Sequence, residues 1–151
     1  MHYEESIVKY AQEYNVDPYL IAAIMKNESR FNPKALSPKE AKGLMQIAPI
    51  TGKWAAEKLP IENYAEEMLY DPDLNIKIAC WYLNILHKEF DGDIELVIPA
   101  YNAGNGNVKK WLQNNELSSD GKTLDKIPFE ETRFYLQRVL KDYKIYQKLY
   151  K

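Results

Sequence analysis

Glu28 stands where a carboxylate is costly, and the chemistry that such a position serves is proton transfer. Asp17 can cap the free amides of a helix, Pro18 suits its first position, and the pattern runs on to Arg30. At about 100° per residue, Leu20, Ile21, Ile24 and Met25 share one side, with Lys26 and Arg30 opposite. With Leu20 at zero, Ile24 comes at about 40°, Glu28 at about 80° and Ile21 at about 100°. The acid therefore lies inside the apolar stripe. Desolvation there raises a carboxyl pKa and keeps the group protonated near neutrality, as a general acid requires. The same position also suits a structural Glu paired with a buried Arg, or a stripe open to solvent at its end. The helix alone leaves these readings open.

Four further stretches are richer in polar groups than packing needs. Ser29 puts a hydroxyl beside the acid, able to orient the carboxyl or a substrate group. Gly43-Leu44-Met45-Gln46 offers a glycine that permits close approach, then an amide that both donates and accepts. Ala100-Tyr101-Asn102-Ala103-Gly104 sets a phenol and an amide at a helix end among small residues. Glu131-Thr132-Arg133 with Tyr135 brings a second acid and a second phenol to the start of the last helix. Each also has an ordinary structural reading. Gln46 and Asn102 suit backbone capping, Tyr101 and Tyr135 suit core phenols, and Glu131 suits a helix N-terminus.

The elements that must position these groups read as helices throughout. Ile7, Val8, Ala11 and Tyr14 repeat at helical spacing, and Asn15 can end that helix in a left-handed conformation. The Glu28 helix must stop by Asn32-Pro33, and residues 32–43 read as a loop on the surface of the protein. Thr51 can cap a helix with Trp54, Ala55 and Leu59 inward. Asp71-Pro72 opens the longest inner helix, with Leu74, Ile78, Trp81, Ile85 and Leu86 on one face and Gly92 past its end. Asp93 caps a helix through Asn102 that contains Pro99, a residue expected to kink it. Val108, Trp111 and Leu112 mark a short helix, residues 114–128 a long loop, and Phe129 to Tyr150 a closing helix. No period-2 alternation supports a strand. The class is all-α, with residues 1–151 forming one domain.

Bulk properties exclude several functions. The chain has 151 residues, 46% apolar and 28% charged, with a net charge of −2 and its Lys and Arg scattered. No concentrated basic surface is expected, so no nucleic acid partner is. Cys80 is the single cysteine and lies in an apolar helical run, which makes it a buried inert thiol. His2 and His87 have no ligand spacing around them, so neither a metal site nor a Ser/His/Asp triad is expected. No apolar run approaches the ~20 residues that span a membrane, and the acidic start, Met1 to Glu5, is no signal peptide.

Taken together, Glu28-Ser29, Gly43 to Gln46, Ala100 to Gly104 and Glu131-Thr132-Arg133-Phe134-Tyr135 resemble the ordered motifs of the SLT-type, family 1 lytic transglycosylases. Those enzymes have a lysozyme-like fold and cleave bacterial peptidoglycan. The resemblance runs from about Ile7 to Tyr146 and includes Ser29 to Pro33, Asn75-Ile76, Tyr82-Leu83, and Val108 with Trp111. It implies a lysozyme-like domain of about seven to nine helices with a glycan-binding groove, acting as a monomer without cofactor.

By resemblance Glu28 is the sole catalytic acid/base, and Ser29 hydrogen-bonds near it. Met45 and Gln46 match glycan-groove positions, Tyr101 and Asn102 line the site, and Glu131 and Tyr135 approach the acid from the last helix. The implied substrate is the glycan strand of peptidoglycan, cut between N-acetylmuramic acid and N-acetylglucosamine to leave a 1,6-anhydro end. Two other readings stand beside it: a hydrolytic muramidase with Glu40 or Glu131 positioning water, and a non-catalytic module that binds glycan or an envelope protein. Peptidoglycan implies an extracytoplasmic location, reached either as part of a longer exported protein or by another route. Glu40, Ala79, Asn105 and Pro99 depart from the pattern; at the first two a glycine is common, and at Asn105 a proline is.

Overall fold

The computed structural model describes residues 2–150, which form α1 (Glu4–Tyr14), α2 (Pro18–Ser29), α3 (Pro49–Lys58), α4 (Pro72–Glu89), α5 (Ile94–Ala103), α6 (Asn105–Leu112) and α7 (Glu130–Tyr150), with a 3-10 helix at Glu66–Tyr70. Among the described residues, extended pairing is confined to two isolated bridges, Leu36 with Lys42 and Lys42 with Ile47. The helix starts follow the predicted capping chemistry at three points. Asp17 accepts from the Tyr19 amide at 2.8 Å, Asp71 from that of Leu74 at 2.9 Å, and Asp93 from that of Glu95 at 3.0 Å. Asn15 ends α1 in the left-handed region, as predicted.

α2 is buried more completely than its amphipathic pattern predicts. Every residue from Leu20 to Met25 is enclosed, so Ala22 and Ala23 on the supposed polar side are buried too. Helices α1 and α7 flank it, and only its two ends reach solvent. α7 runs antiparallel to it and clasps it at three levels. The Tyr143 hydroxyl donates to Asp17, Asp142 receives Lys26 and Asn27, and Tyr135 meets Glu28.

Other expectations shift by part of a turn. In α1 the buried aromatic is Tyr10, whose hydroxyl donates to Asp73 at 2.6 Å, while Val8 is exposed. α3 begins at Pro49 after Ala48, without a side-chain cap, so Thr51 lies inside the helix. A proline preset for the first helical turn starts the helix without the hydroxyl. Trp54 consequently faces outward, 38% exposed, and Ala55 takes the core position. In α4 the inward face is Asn75, Ile76, Ile78, Ala79, Cys80, Leu83 and Leu86, leaving Trp81 and Ile85 half-buried. α5 continues through Pro99, whose missing bond would go to the carbonyl of Glu95, an exposed residue in the first turn. The 114–128 loop is held by its own hydrogen bonds: buried Ser118 donates to the Thr123 carbonyl at 2.6 Å and accepts from the Gly121 amide at 3.0 Å.

Glu40, where relatives commonly carry glycine by the resemblance above, has φ of 66°, a left-handed conformation that strains an L side chain. Glu40→Gly relieves that strain and adds flexibility to the unfolded chain, so a net gain of about 0.5–1 kcal/mol is expected in urea unfolding.

Candidate active site

Burial is what sets the state of the Glu28 carboxyl. Glu28 is half-buried at the end of α2, and the Tyr135 hydroxyl, itself 2% exposed on α7, donates to its Oε2 at 2.9 Å. The Glu28 pKa stands raised from 4.5 to about 7, with desolvation the largest cause. The Tyr135 hydrogen bond pulls it down, the Glu131 carboxylate pushes it up, and the Arg138 guanidinium pulls it down. Burial outweighs the donor and the cation together, so the group holds a proton near neutrality and can also release one. Burial lifts the Tyr101 and Tyr135 phenols well above their ordinary value, and the charge of Glu28 lifts them further. Both stay protonated, and their hydroxyls remain available as donors.

The turn after the first loop brings a second set of groups alongside. The Lys42 and Ile47 amides and carbonyls pair at 3.0 and 3.1 Å, closing residues 42–47 into a tight turn. Gly43 has φ of 79°, and a Cβ there would run into the Asn75 amide and the Leu69 carbonyl, so the close approach expected of this glycine is real. Asn75, fully buried on α4, accepts from the Met45 amide at 2.8 Å and donates to the Lys42 and Leu69 carbonyls at 2.9 and 2.8 Å. The Met45 carbonyl in turn accepts from the Tyr101 hydroxyl at 2.7 Å. Asn75 and Tyr101 thus fix the turn from two helices.

Beyond the turn lies a cleft of about 590 Å³ between α3, α4 and the end of α5. Trp54, Tyr82 and Tyr101 form an aromatic wall along it, with ring centroids 6.4 Å and 5.8 Å apart in sequence. Gln46, Thr51, Asn102 and Asn105 add polar groups. Flat apolar surface beside a few placed donors and acceptors is the composition of a small-molecule or saccharide site. Glu28 does not line this cleft itself. It adjoins Tyr101, which does and which feels its charge.

The predicted site residues separate into three groups. Glu28, Tyr135 and Tyr101 come together, and Glu131, exposed in the first turn of α7, is close enough to act on Glu28. Gln46 and Asn102 reach the cleft as braced amides. Gln46 Nε2 donates to the Ala35 and Gly43 carbonyls at 3.1 and 3.0 Å, and Asn102 Oδ1 accepts from the Thr132 hydroxyl at 2.7 Å. Met45 and Ser29 depart from their expected parts. The Met45 side chain is fully buried, so only its backbone serves the site. The Ser29 hydroxyl turns back to the Met25 carbonyl at 3.3 Å, the usual recourse of a serine inside a helix, rather than to Glu28. Glu40 is exposed in its loop and is not among the charges that act on Glu28.

Trp54, Asn75 and Arg138 carry roles that their residue types alone did not disclose. The available signal was Asn75, an amide on the apolar face of a long helix. Among the described residues no cluster of three or more His, Cys, Asp or Glu could hold a metal, and no helix is long and apolar enough to cross a membrane.

Residues 5–123 match the family described as the transglycosylase SLT domain. The chain belongs to that family. It is 36% identical over 140 residues to the soluble lytic murein transglycosylase of Escherichia coli K12, a match covering 91% of this chain and 22% of that protein. It is 33% identical over 174 residues to membrane-bound lytic murein transglycosylase C of Serratia proteamaculans, covering 97% of this chain and 47% of that one. In three dimensions it resembles an inactive glutamate-to-glutamine mutant of lytic transglycosylase Slt from Pseudomonas aeruginosa, with a TM-score of 0.85 and 35% identity over 99% of this chain and 24% of that one. The 70 kDa soluble lytic transglycosylase of E. coli matches with a TM-score of 0.85 and 32% identity over 97% of this chain and 24% of the other. The all-α, lysozyme-like architecture implied by the motifs is therefore the one this SLT domain has. The chain spans about a fifth of the length of the soluble relatives it matches.

Proposed function

We propose that this SLT domain, acting over its 151 residues as one catalytic unit, is a lytic transglycosylase of peptidoglycan. It breaks the bond between N-acetylmuramic acid and N-acetylglucosamine without consuming water. The observation that carries this reading is a single half-buried carboxyl with a pKa of about 7, hydrogen-bonded to Tyr135 and adjoining an aromatic cleft. Protonated Glu28 donates to the glycosidic oxygen as the C1–O bond breaks. The resulting carboxylate takes the proton of the sugar C6 hydroxyl, whose oxygen bonds to C1 and closes the 1,6-anhydro ring. One group serves as acid and then as base, which requires a pKa near working pH. Burial supplies that value here. The Trp54, Tyr82 and Tyr101 rings hold the sugars, with the Gln46, Asn102 and Asn105 amides at their polar edges. The substrate is a glycan strand, no cofactor or nucleic acid takes part, and the domain works as a monomer in the extracytoplasmic envelope where peptidoglycan lies.

A second reading has one observation in its favour: Glu131 is near enough to raise the Glu28 pKa and could hold a water for hydrolysis. Mass spectrometry of digested peptidoglycan separates the two, since the anhydro product is lighter by one water. A hydrated reducing end as sole product overturns the transglycosylase reading.

Tyr135→Phe tests what sets the acid. The phenol stabilises the carboxylate, so its loss raises the Glu28 pKa further above about 7. Activity that needs protonated Glu28 declines as pH rises through that pKa. The alkaline limb of the kcat/KM profile should therefore move up by about one pH unit, the equivalent of one hydrogen bond to a charged group. A limb that stays put, with Glu131 and Arg138 unchanged beside Glu28, contradicts the assignment.

A further inference from the structure

Two amides of the cleft are held with opposite ends outward. The Gln46 Nε2 hydrogens go to the Ala35 and Gly43 carbonyls, at 3.1 and 3.0 Å, so the end left for a ligand is Oε1, an acceptor. Asn102 is held the other way. Its Oδ1 accepts from the Thr132 hydroxyl at 2.7 Å, which leaves Nδ2 and its two hydrogens for the cleft that the residue lines. One bond ties the two places together. The Tyr101 hydroxyl donates to the Met45 carbonyl at 2.7 Å, and Asn102 and Gln46 are the chain neighbours of those residues.

Thr132 is not where helix chemistry alone would put that donor. It is the third residue of α7 and 2% exposed. A threonine inside a helix ordinarily turns its hydroxyl back to a carbonyl of the preceding turn, as Ser29 does on α2. Here the hydroxyl reaches instead to α5, 30 positions away in the chain. Its place on α7 matters too. Tyr135, three residues on and therefore on the same face, holds Glu28. One face of α7 thus sets the acid and the Asn102 amide in a single register. Tyr135 also feels Tyr101, the chain neighbour of Asn102, so the two bonds serve one region of the site.

We propose that Thr132 is a positioning residue for the sugar beside Glu28: it fixes the Asn102 amide so that Nδ2 donates to a sugar oxygen that can only accept. The inference rests on the peptidoglycan reading above. Carbonyl, ring and glycosidic oxygens are of that kind, whereas a hydroxyl both donates and accepts and meets either end of an amide equally well. A flipped Asn102 would turn Oδ1 outward like Gln46 Oε1. Acceptor would then face acceptor, with the bond lost and a repulsion added. The threonine hydroxyl prevents this by donating to Oδ1 from a buried and rigid place.

The test is a double-mutant cycle read in binding, made in the Glu28→Gln protein so that turnover does not enter. Each variant is titrated with one stem-free fragment of alternating N-acetylglucosamine and N-acetylmuramic acid, at a temperature where circular dichroism shows it folded. Thr132→Val keeps the shape of the side chain without its hydroxyl and should weaken binding by about fivefold, near the loss of one neutral hydrogen bond. Thr132→Ser keeps the hydroxyl and should bind like the Glu28→Gln parent. Asn102→Ala should cost about as much as Thr132→Val, and the two together no more than either alone, because the threonine acts through the amide. Asn102→Asp keeps the bond to Thr132 but turns an oxygen to the cleft. It should hold the melting temperature and lose about tenfold in affinity, and it gives the reading if Thr132→Val fails to fold. Parent-like binding by Thr132→Val or by Asn102→Asp overturns the proposal. So does a Thr132→Ser variant as weak as Thr132→Val, or losses from Thr132→Val and Asn102→Ala that multiply. Cleavage of the same fragment by the unsubstituted domain is measured alongside. The expected cycle without cleavage overturns the transglycosylase reading alone, and cleavage with a failed cycle overturns the positioning role alone. A domain that neither binds nor cleaves the fragment overturns both.

Discussion

Glu28→Gln is expected to abolish peptidoglycan cleavage while making the domain more stable above pH 7. A general acid contributes about 10²–10⁴ in rate, and here the same group also serves as base, so residual turnover should be at least 10³-fold down, roughly. Glycan binding should survive, because Gln keeps the shape of Glu and its Oε1 can still accept from the Tyr135 hydroxyl.

The stability change follows from linkage. The Glu28 pKa is raised by folding from 4.5 to about 7, so the native state holds this proton more tightly than the unfolded chain does. The corresponding stabilisation is fully present below pH 4.5 and is lost as pH rises through about 7. Above that, the ionised carboxylate costs the fold up to about 3 kcal/mol relative to a neutral group of the same shape. Gln is that group. The variant's melting temperature should therefore match the parent near pH 4 and exceed it by several degrees near pH 8, as read by calorimetry across the range. Equal stability at both ends would mean that Glu28 is solvated, and retained cleavage would remove it from the chemistry.

That one residue could be picked out from the sequence reflects the range over which its signal acts. A carboxyl inside an apolar stripe is visible within eight residues, between Leu20 and Glu28, because helix periodicity is local. Aspartate caps at Asp17, Asp71 and Asp93 are visible for the same reason, each bonding an amide two or three residues on. What was not legible depends on local competition between signals or on contacts between distant segments. Trp54 reads as a core residue until α3 is known to start at Pro49, which turns the ring toward the cleft. Ser29 reads as a partner for Glu28 until the Met25 carbonyl, one turn back, takes its hydroxyl. Arg138 lies 110 positions from Glu28, and no spacing rule joins an exposed arginine on one helix to an acid on another. The ordered motifs as a set disclosed the family and the stripe disclosed the raised pKa of the acid; the Arg138 cation that acts on it needed the fold.

Asn75 is where the fold and the site depend on the same atoms, and its replacement should produce the largest loss of stability. Asn75→Leu keeps the branched shape and heavy-atom count of the side chain, at somewhat greater bulk, but removes one acceptor and two donors from a fully buried position. The Met45 amide and the Leu69 carbonyl lose their partner at once, while the Lys42 carbonyl keeps only the Ile47 amide. Each buried group left unpaired costs about 1–3 kcal/mol, and partial relaxation brings the expected loss to about 4 kcal/mol. Against a typical total of about 5–15 kcal/mol this lowers the melting temperature by roughly 10 °C. The Met45 residue released on its amide side is the one whose carbonyl holds the Tyr101 hydroxyl, so the turn, Gln46 and the cleft wall beside Glu28 should shift together. Cleavage should fall by about tenfold or more even at temperatures where the variant is fully folded, since small misplacements of binding groups are expensive in rate. Gly43→Ala probes the same contact from the other side, because its added methyl meets the Asn75 amide and the Leu69 carbonyl at a φ of 79°. Should Asn75→Leu fail to fold, Gly43→Ala gives the reading. Parent-like stability together with parent-like cleavage in either protein would show that α4 does not hold the turn.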